Sequence, residues 1–275
     1  MAHQRDELST MDQLHQVELE LMDEVDRICR EHDIPYFLDS GSALGAVRHG
    51  GFIPWDDDMD IGMLRSDYDR FLEIAGRELK PEYALQTHET DPHVYKFYAK
   101  IRKNNTLYPS RISGKYENQG IAIDLFAFDR IADDEATARE ELQRLRKLYR
   151  LIRIRATWRE TGNMARKICG LLLHIVSEKR LRARYHKLCT MHNDTEASRV
   201  CCYLYKMSQK KELFFDIDRM MPVKPVRFED RVYRIMNDPD HYLTVMYGDY
   251  MKLPDEEDQK MPDLSRVVFN TKESQ

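Results

Sequence analysis

Two aspartates one residue apart, Asp58 and Asp60 in Asp56-Asp57-Asp58-Met59-Asp60-Ile61, are the pair in this chain best placed to do chemistry. On an extended backbone residues i and i+2 project to the same side, so the two carboxylates can share one hard cation, Mg²⁺ or Mn²⁺. A third carboxylate from a neighbouring strand would complete the site. Asp124 in Ile121-Ala122-Ile123-Asp124-Leu125-Phe126 is the candidate, because a charge in so apolar a strand is costly unless a metal or partner compensates it. Upstream, Gly41-Ser42 suits a phosphate. Glycine permits close backbone approach, Ser42 can donate a hydrogen bond, and the amides opening the next helix favour an anion. An acidic run alone reads most simply as a solvated loop, but the Gly-Ser upstream and the apolar residues between the acids argue for more. An EF-hand reading fails, because Ile61 stands where its sixth position needs glycine and Asp67 where its twelfth needs glutamate.

Several elements must bring these groups together. Leu14, Val17, Leu21, Val25 and Ile28 recur every three or four residues, which predicts one buried stripe on a helix from Thr10 to His32. Pro35 ends it, Tyr36 to Leu38 reads as a short strand, Asp39 to Ser42 as a turn, and Ala43 to Arg48 as a brief helix broken by His49-Gly50-Gly51. The segment Trp55 to Gly62 predicts a strand edge carrying the two aspartates, with Trp55 packed beneath the loop or offering its aromatic face to a cation. Ser66 is the expected N-cap of a helix over Asp67 to Leu79, and Tyr83 to Leu85, Lys96 to Arg102 and Gly120 to Phe128 predict further strands. Beyond Asp133 the pattern turns helical, and between Arg139 and Lys187 fifteen Lys/Arg face four acidic residues. Strand-like character returns near Tyr203. We therefore expect an α/β (α+β) chain with residues 1–133 as catalytic core, 134–200 as a basic helical segment and 201–275 as a C-terminal part closing the active site.

With 275 residues, 42% hydrophobic and 33% charged, the chain is long enough for a real core and too apolar for a disordered one. A net charge of −5 names no partner, and no nucleic acid is expected. Five cysteines without regular spacing predict reduced thiols in a cytoplasmic protein. The N-terminus lacks the apolar core of a signal peptide, and the longest apolar run, Ile168 to Val176, is too short to span a bilayer.

The run Gly41-Ser42-Ala43-Leu44-Gly45-Ala46-Val47-Arg48, followed by Gly51-Phe52-Ile53-Pro54-Trp55-Asp56-Asp57-Asp58-Met59-Asp60-Ile61, resembles the signature of the LicD family, which includes bacterial phosphorylcholine transferases and the fukutin-related proteins. Ile123-Asp124-Leu125-Phe126 and the closing Tyr247-Gly248-Asp249-Tyr250-Met251-Lys252-Leu253-Pro254 match its pattern too, so the resemblance spans nearly the whole chain. It implies a nucleotidyltransferase-like mixed sheet with flanking helices and a helical C-terminal part. It also implies transfer of a phosphorylated alcohol, as phosphocholine from a CDP-choline-like CDP-alcohol donor, to a hydroxyl of a cell-surface glycan or its lipid-linked precursor. Toward such a donor, Lys96, Lys100 and Arg102 alternate on their strand and can all face the phosphates, while Asp124 can be metal ligand, general base or both. Strict nucleotidyl transfer, with pyrophosphate released, is the alternative that the same residues serve. The basic segment, with Leu148, Leu151, Ile152, Ile154 and the cluster Leu171 to Ile175 set among Lys and Arg, suits either packing on the core or peripheral docking on the inner face of an anionic membrane.

Overall fold

The computed structural model describes residues 9–109, 118–205 and 213–271; residues 1–8, part of the N-terminal stretch read for a leader, lie outside them. The chain forms two compact units, Met1–Phe126 with Met221–Gln275, and Ala127–Met220. Among the described residues no helix is long and apolar enough to cross a membrane.

The first unit opens with α1 (Thr10–Glu31), started by a capping box in which the Asp12 amide donates to Ser9 Oγ at 3.1 Å and the Ser9 amide donates to Asp12 Oδ2 at 3.1 Å. Leu14, Leu21, Val25 and Ile28 are buried as their spacing demands; Val17 is half-buried, and Leu19 and Met22 widen the stripe. Next come β1 (Phe37–Leu38), α2 (Ser40–Arg48), β2 (Asp60–Leu64), α3 (Arg65–Glu78), β3 (Tyr83–Gln86), β4 (Ala99–Lys103) and β5 (Ala122–Ile131). The strands lie in the order β1-β2-β5-β4-β3, with β1 antiparallel to β2 and β4 antiparallel to both β3 and β5. Several expected boundaries move. The helix after β1 begins at Ser40, because Asp39 caps it by accepting the Ser40 amide at 2.8 Å, so Gly41 and Ser42 lie in its first turn. α3 begins at Arg65 with Leu64 at the cap, so Ser66 is not its N-cap. β4 begins at Ala99, which leaves Lys96 outside the strand.

The second unit takes the end of β5, residues 127–131, and adds α4 (Glu135–Thr157), α5 (Met164–Leu173), α6 (Glu178–Cys189), β6 (Arg199–Cys201), β7 (Phe215–Asp216) and α7 (Ile217–Met220). β6 pairs antiparallel with β5 and β7. Leu142, Leu145, Leu148 and Ile152 of α4 are buried, as are Leu181 and Tyr185 of α6. α5 packs through Gly170, where a side chain would meet Trp158.

Residues 221–271 belong to the first unit: the antiparallel hairpin β8 (Lys224–Phe228) and β9 (Arg231–Ile235) packs on β1 and α2, and α8 (Pro239–Tyr247) packs on α2. The class is the α/β (α+β) one read from the sequence. The packing of α2 is tight at Gly45, where a Cβ would sit 2.4 Å from the Gly51 carbonyl oxygen. Gly45→Ala should therefore lower stability, although alanine is the better helix former by about 1 kcal/mol, because overpacking against backbone costs about 1–3 kcal/mol. Thermal unfolding checks this: a drop of several degrees in Tm is expected, and an unchanged or raised Tm would contradict the packing described.

Candidate active site

The site forms where β2, the loop before it and β5 meet. The Asp124 amide donates to the Met59 carbonyl at 2.9 Å, which places the tip of Asp124 beside the acidic loop. Asp58 lies on that loop, just before the strand that was expected to carry it, and Asp60 is the first residue of β2. Ser42 joins the two parts of the motif, since its Oγ accepts the Asp60 amide at 2.8 Å. Its hydroxyl hydrogen remains to be donated. Gly41 has a role that its type alone did not specify: a Cβ there would stand 2.4 Å from Asp56 Oδ2, so glycine makes room for a carboxylate. Beside it Ser40 holds φ +47°, a left-handed conformation uncommon outside glycine and concentrated at functional sites.

The electrostatics are those of a crowded anion cluster. Asp58 keeps an exposed surface, yet the protein around it removes enough hydration to push its pKa up to about 8, with Asp56, Asp124 and Asp57 adding repulsion. Asp60 is raised well above the carboxylate range by burial, then by Asp58, Asp124 and Asp39, with Lys100 opposing. Burial also raises Asp56, with Asp57 adding repulsion and its proximity to Asp58 and His15 opposing. Lys100 is directly opposite Asp124 in the β4–β5 register, and the two form an ion pair with side chains 18% and 15% exposed. Asp39, fully buried, accepts from the Tyr242 hydroxyl and the Ser40 amide.

This donor set fits a small hard cation. It is rich in carboxylate oxygens that repel one another in the cation-free protein, the environment Mg²⁺ or Mn²⁺ relieves. Among the described residues the three metal-type ligands whose atoms all lie within 4.8 Å of one another are instead Glu31, His32 and Glu78. Two of these are exposed and the group is held by ordinary pairs, His32 to Glu78 at 2.8 Å and Arg27 to Glu31 at 2.6 Å. Asp58, Asp60 and Asp124 are not drawn within that distance of one another in the cation-free protein.

The expected phosphate contacts divide. Lys100 reaches the site. Arg102 shares its face of β4, but its guanidinium is buried, donating to Gln86 Oε1 at 2.5 Å and to the Gly120 carbonyl. Spacing on a strand fixes a face and says nothing of how far along it a long side chain turns, and Arg102 ties β4 to its neighbours instead. Lys96 lies before the strand, its Nζ 5.3 Å from the Tyr98 ring centre, the same separation as Lys100. Four contributors were not foreseen: Asp39, Tyr108, whose hydroxyl donates to Asp57, His15, whose Nε2 bonds the Asp56 carbonyl at 2.9 Å, and Glu18. Tyr247 sits against the cluster, its hydroxyl pKa raised by burial and by Asp39 and Asp60. It also lines an open cleft of about 420 Å³ with Trp55, Asp249, Tyr250 and Asp255.

Residues 33–148 match the model described as LicD/FKTN/FKRP, nucleotidyltransferase domain. Over 249 residues, 88% of this chain and 91% of the relative, the chain is 28% identical to the lipopolysaccharide cholinephosphotransferase LicD of Haemophilus influenzae. Shorter matches join it to the human ribitol 5-phosphate transferase FKRP, 44% identical over 45 residues (16% of this chain, 9% of the relative), and to an uncharacterized protein of Rickettsia prowazekii, 39% identical over 64 residues (23% and 22%). Residues 33–148 thus resemble the nucleotidyltransferase domain of the LicD family, and the likeness supports a transferase of the LicD type.

Proposed function

We propose that the chain transfers a phosphorylated alcohol from a CDP-alcohol to a hydroxyl of a cell-surface glycan or its lipid-linked precursor. The observation that carries this reading is the meeting of Asp58, Asp60 and Asp124 beside Lys100 and Ser42, an arrangement that favours a cation and a diphosphate together. The relatives support the reaction class, one being named a cholinephosphotransferase and another a ribitol 5-phosphate transferase. A divalent cation, Mg²⁺ or Mn²⁺, held by Asp58, Asp60 and Asp124, supplies neutralisation of charge on the donor's phosphates. Lys100 adds positive charge on the same side, and the Ser42 hydroxyl donates toward a phosphate oxygen. The acceptor oxygen forms a bond to the phosphorus bearing the alcohol, the bridging P–O bond breaks, CMP leaves, and the acceptor's proton passes to a carboxylate or solvent. A choline-like alcohol is favoured by the cleft, where Trp55, Tyr247 and Tyr250 offer aromatic faces and Asp249 and Asp255 offer negative charge to a quaternary ammonium.

Asp58→Asn and Asp60→Asn each remove an anionic ligand at almost constant shape, so each should cut transfer at least about a hundredfold while circular dichroism stays native. Product analysis on the wild type separates the two chemistries. CMP released with Mg²⁺ or Mn²⁺ supports the proposal, pyrophosphate released from a nucleoside triphosphate supports nucleotidyl transfer, and a variant retaining a tenth of the activity would remove the aspartates from the mechanism.

We also infer that the enzyme docks peripherally on an anionic membrane, where lipid-linked acceptors reside. The surface for this is α5 and the turn after it. Met164, Ile168, Leu171, Leu172 and Ile175 are all more than half exposed and recur at helical spacing, flanked by Lys167, Lys179 and Arg180. Leu148 and Ile152 take no part, because α4 buries them in its own unit. The five free cysteines, four of them buried, fit the reducing cytoplasmic side. Sedimentation with vesicles of phosphatidylglycerol and phosphatidylcholine should capture the protein at low salt and release it at high salt, since screening weakens attraction to the headgroups. Ile168→Ser with Ile175→Ser should reduce capture about tenfold. Capture indifferent to salt and to these changes, or none at low salt, would remove the docking surface.

A further inference from the structure

The face of α1 that holds His15 against the acidic loop also carries a carboxyl into the interior. Glu18, one turn beyond His15, is 1% exposed, and its Oε2 has no hydrogen-bond partner. The other buried glutamates each have a basic partner. Glu24 pairs with Arg27 and Lys80, each at 2.8 Å, and Glu141, whose Oε2 is likewise without a hydrogen bond, pairs through Oε1 with His192 at 3.0 Å. Neighbouring positions on the buried stripe are Leu14, Leu21 and Met22, any of which would fill the space of Glu18 without burying a charge. The groups facing Glu18 are themselves acidic: after burial, its pKa is pushed up by Asp58, then Asp57, Asp56 and Asp124. A buried carboxyl oxygen near other carboxyls, with no hydrogen-bond partner of its own, costs the fold rather than stabilising it. What such oxygens share is affinity for a hard cation.

We propose that Glu18 is a ligand of the divalent cation at Asp58, supplied from the α1 side of the site through its free Oε2. The inference rests on the cation reading given above. It makes α1 part of the wall of the site and explains why a carboxyl is kept on its buried stripe.

Binding of Mn²⁺ to the purified full chain without nucleotide, followed by the loss of the free-ion paramagnetic resonance signal, tests it together with thermal unfolding in EDTA. Glu18→Gln keeps shape and removes charge. It should weaken Mn²⁺ binding at least about tenfold, as loss of a metal ligand does, while Tm in EDTA stays level or rises because repulsion with Asp58 is relieved. Glu18→Met, an apolar side chain of similar length, should show the same loss of Mn²⁺ with a higher Tm, and serves if the glutamine variant does not fold. Wild-type Mn²⁺ affinity in either variant overturns the proposal, as does a Tm in EDTA lowered in both variants, which would mark a structural role. If Asp58→Asn loses Mn²⁺ and the Glu18 variants do not, the proposal fails while the cation site stands. If the wild type binds no Mn²⁺, the cation reading fails and this proposal with it.

Discussion

The constraint on which the site depends is repulsion. Asp56, Asp58, Asp60 and Asp124 crowd together with Asp39 behind them, and the burial that positions them also strips the water that would screen them. Carboxylates crowded in this way are pushed toward their protonated form unless a positive charge offsets them, and the pKa of Asp58 is raised accordingly. Much of the first unit keeps the cluster from relaxing. Tyr242 and the Ser40 amide fix Asp39, Ser42 fixes the start of β2, His15 fixes the loop at Asp56, and Tyr108 fixes Asp57. Lys100 offsets part of the charge from the neighbouring strand through its ion pair with Asp124.

This framework also explains why residues far apart in the chain are needed together. α2 lies between the acidic loop and the C-terminal elements, so Asp39 at its N-terminus meets Tyr242, 203 residues later, and Arg48 at its end donates to the Tyr250 carbonyl at 2.8 Å. The C-terminal residues thereby bring Tyr247 and the aromatic cleft to the cluster. A phosphotransferase that mainly positions and neutralises needs such rigid support more than it needs reactive side chains.

The parts legible in the sequence were those that local pattern encodes. The i, i+2 aspartates, an isolated charge in an apolar strand and the helical stripe of α1 each follow from one element's periodicity, and the Asp124 amide does bond the Met59 carbonyl between the two aspartates. Arg102 shows where that reasoning stops. Strand alternation placed it on the face of Lys100, but its donors were claimed by Gln86 and Gly120, partners fixed by tertiary packing. Asp39 was hidden because its partner is remote, and Glu18 because a single polar residue on a helix reads as part of the solvated side unless the stripe's width is known. On α5 the composition was ambiguous between packed and exposed. The structure resolves it through Gly170, whose lack of a side chain admits Trp158 and turns Ile168, Leu171 and Ile175 outward.

The central claim is that this acidic cluster accepts a diphosphate only together with a cation. Calorimetric titration of the wild-type protein with CDP-choline, in Mg²⁺ and again in EDTA, tests it most directly. Unscreened carboxylates repel the donor's phosphates, so binding at least about a hundredfold tighter with Mg²⁺ is predicted, a coupling of roughly 3 kcal/mol. Equal affinity in the two conditions would contradict the account.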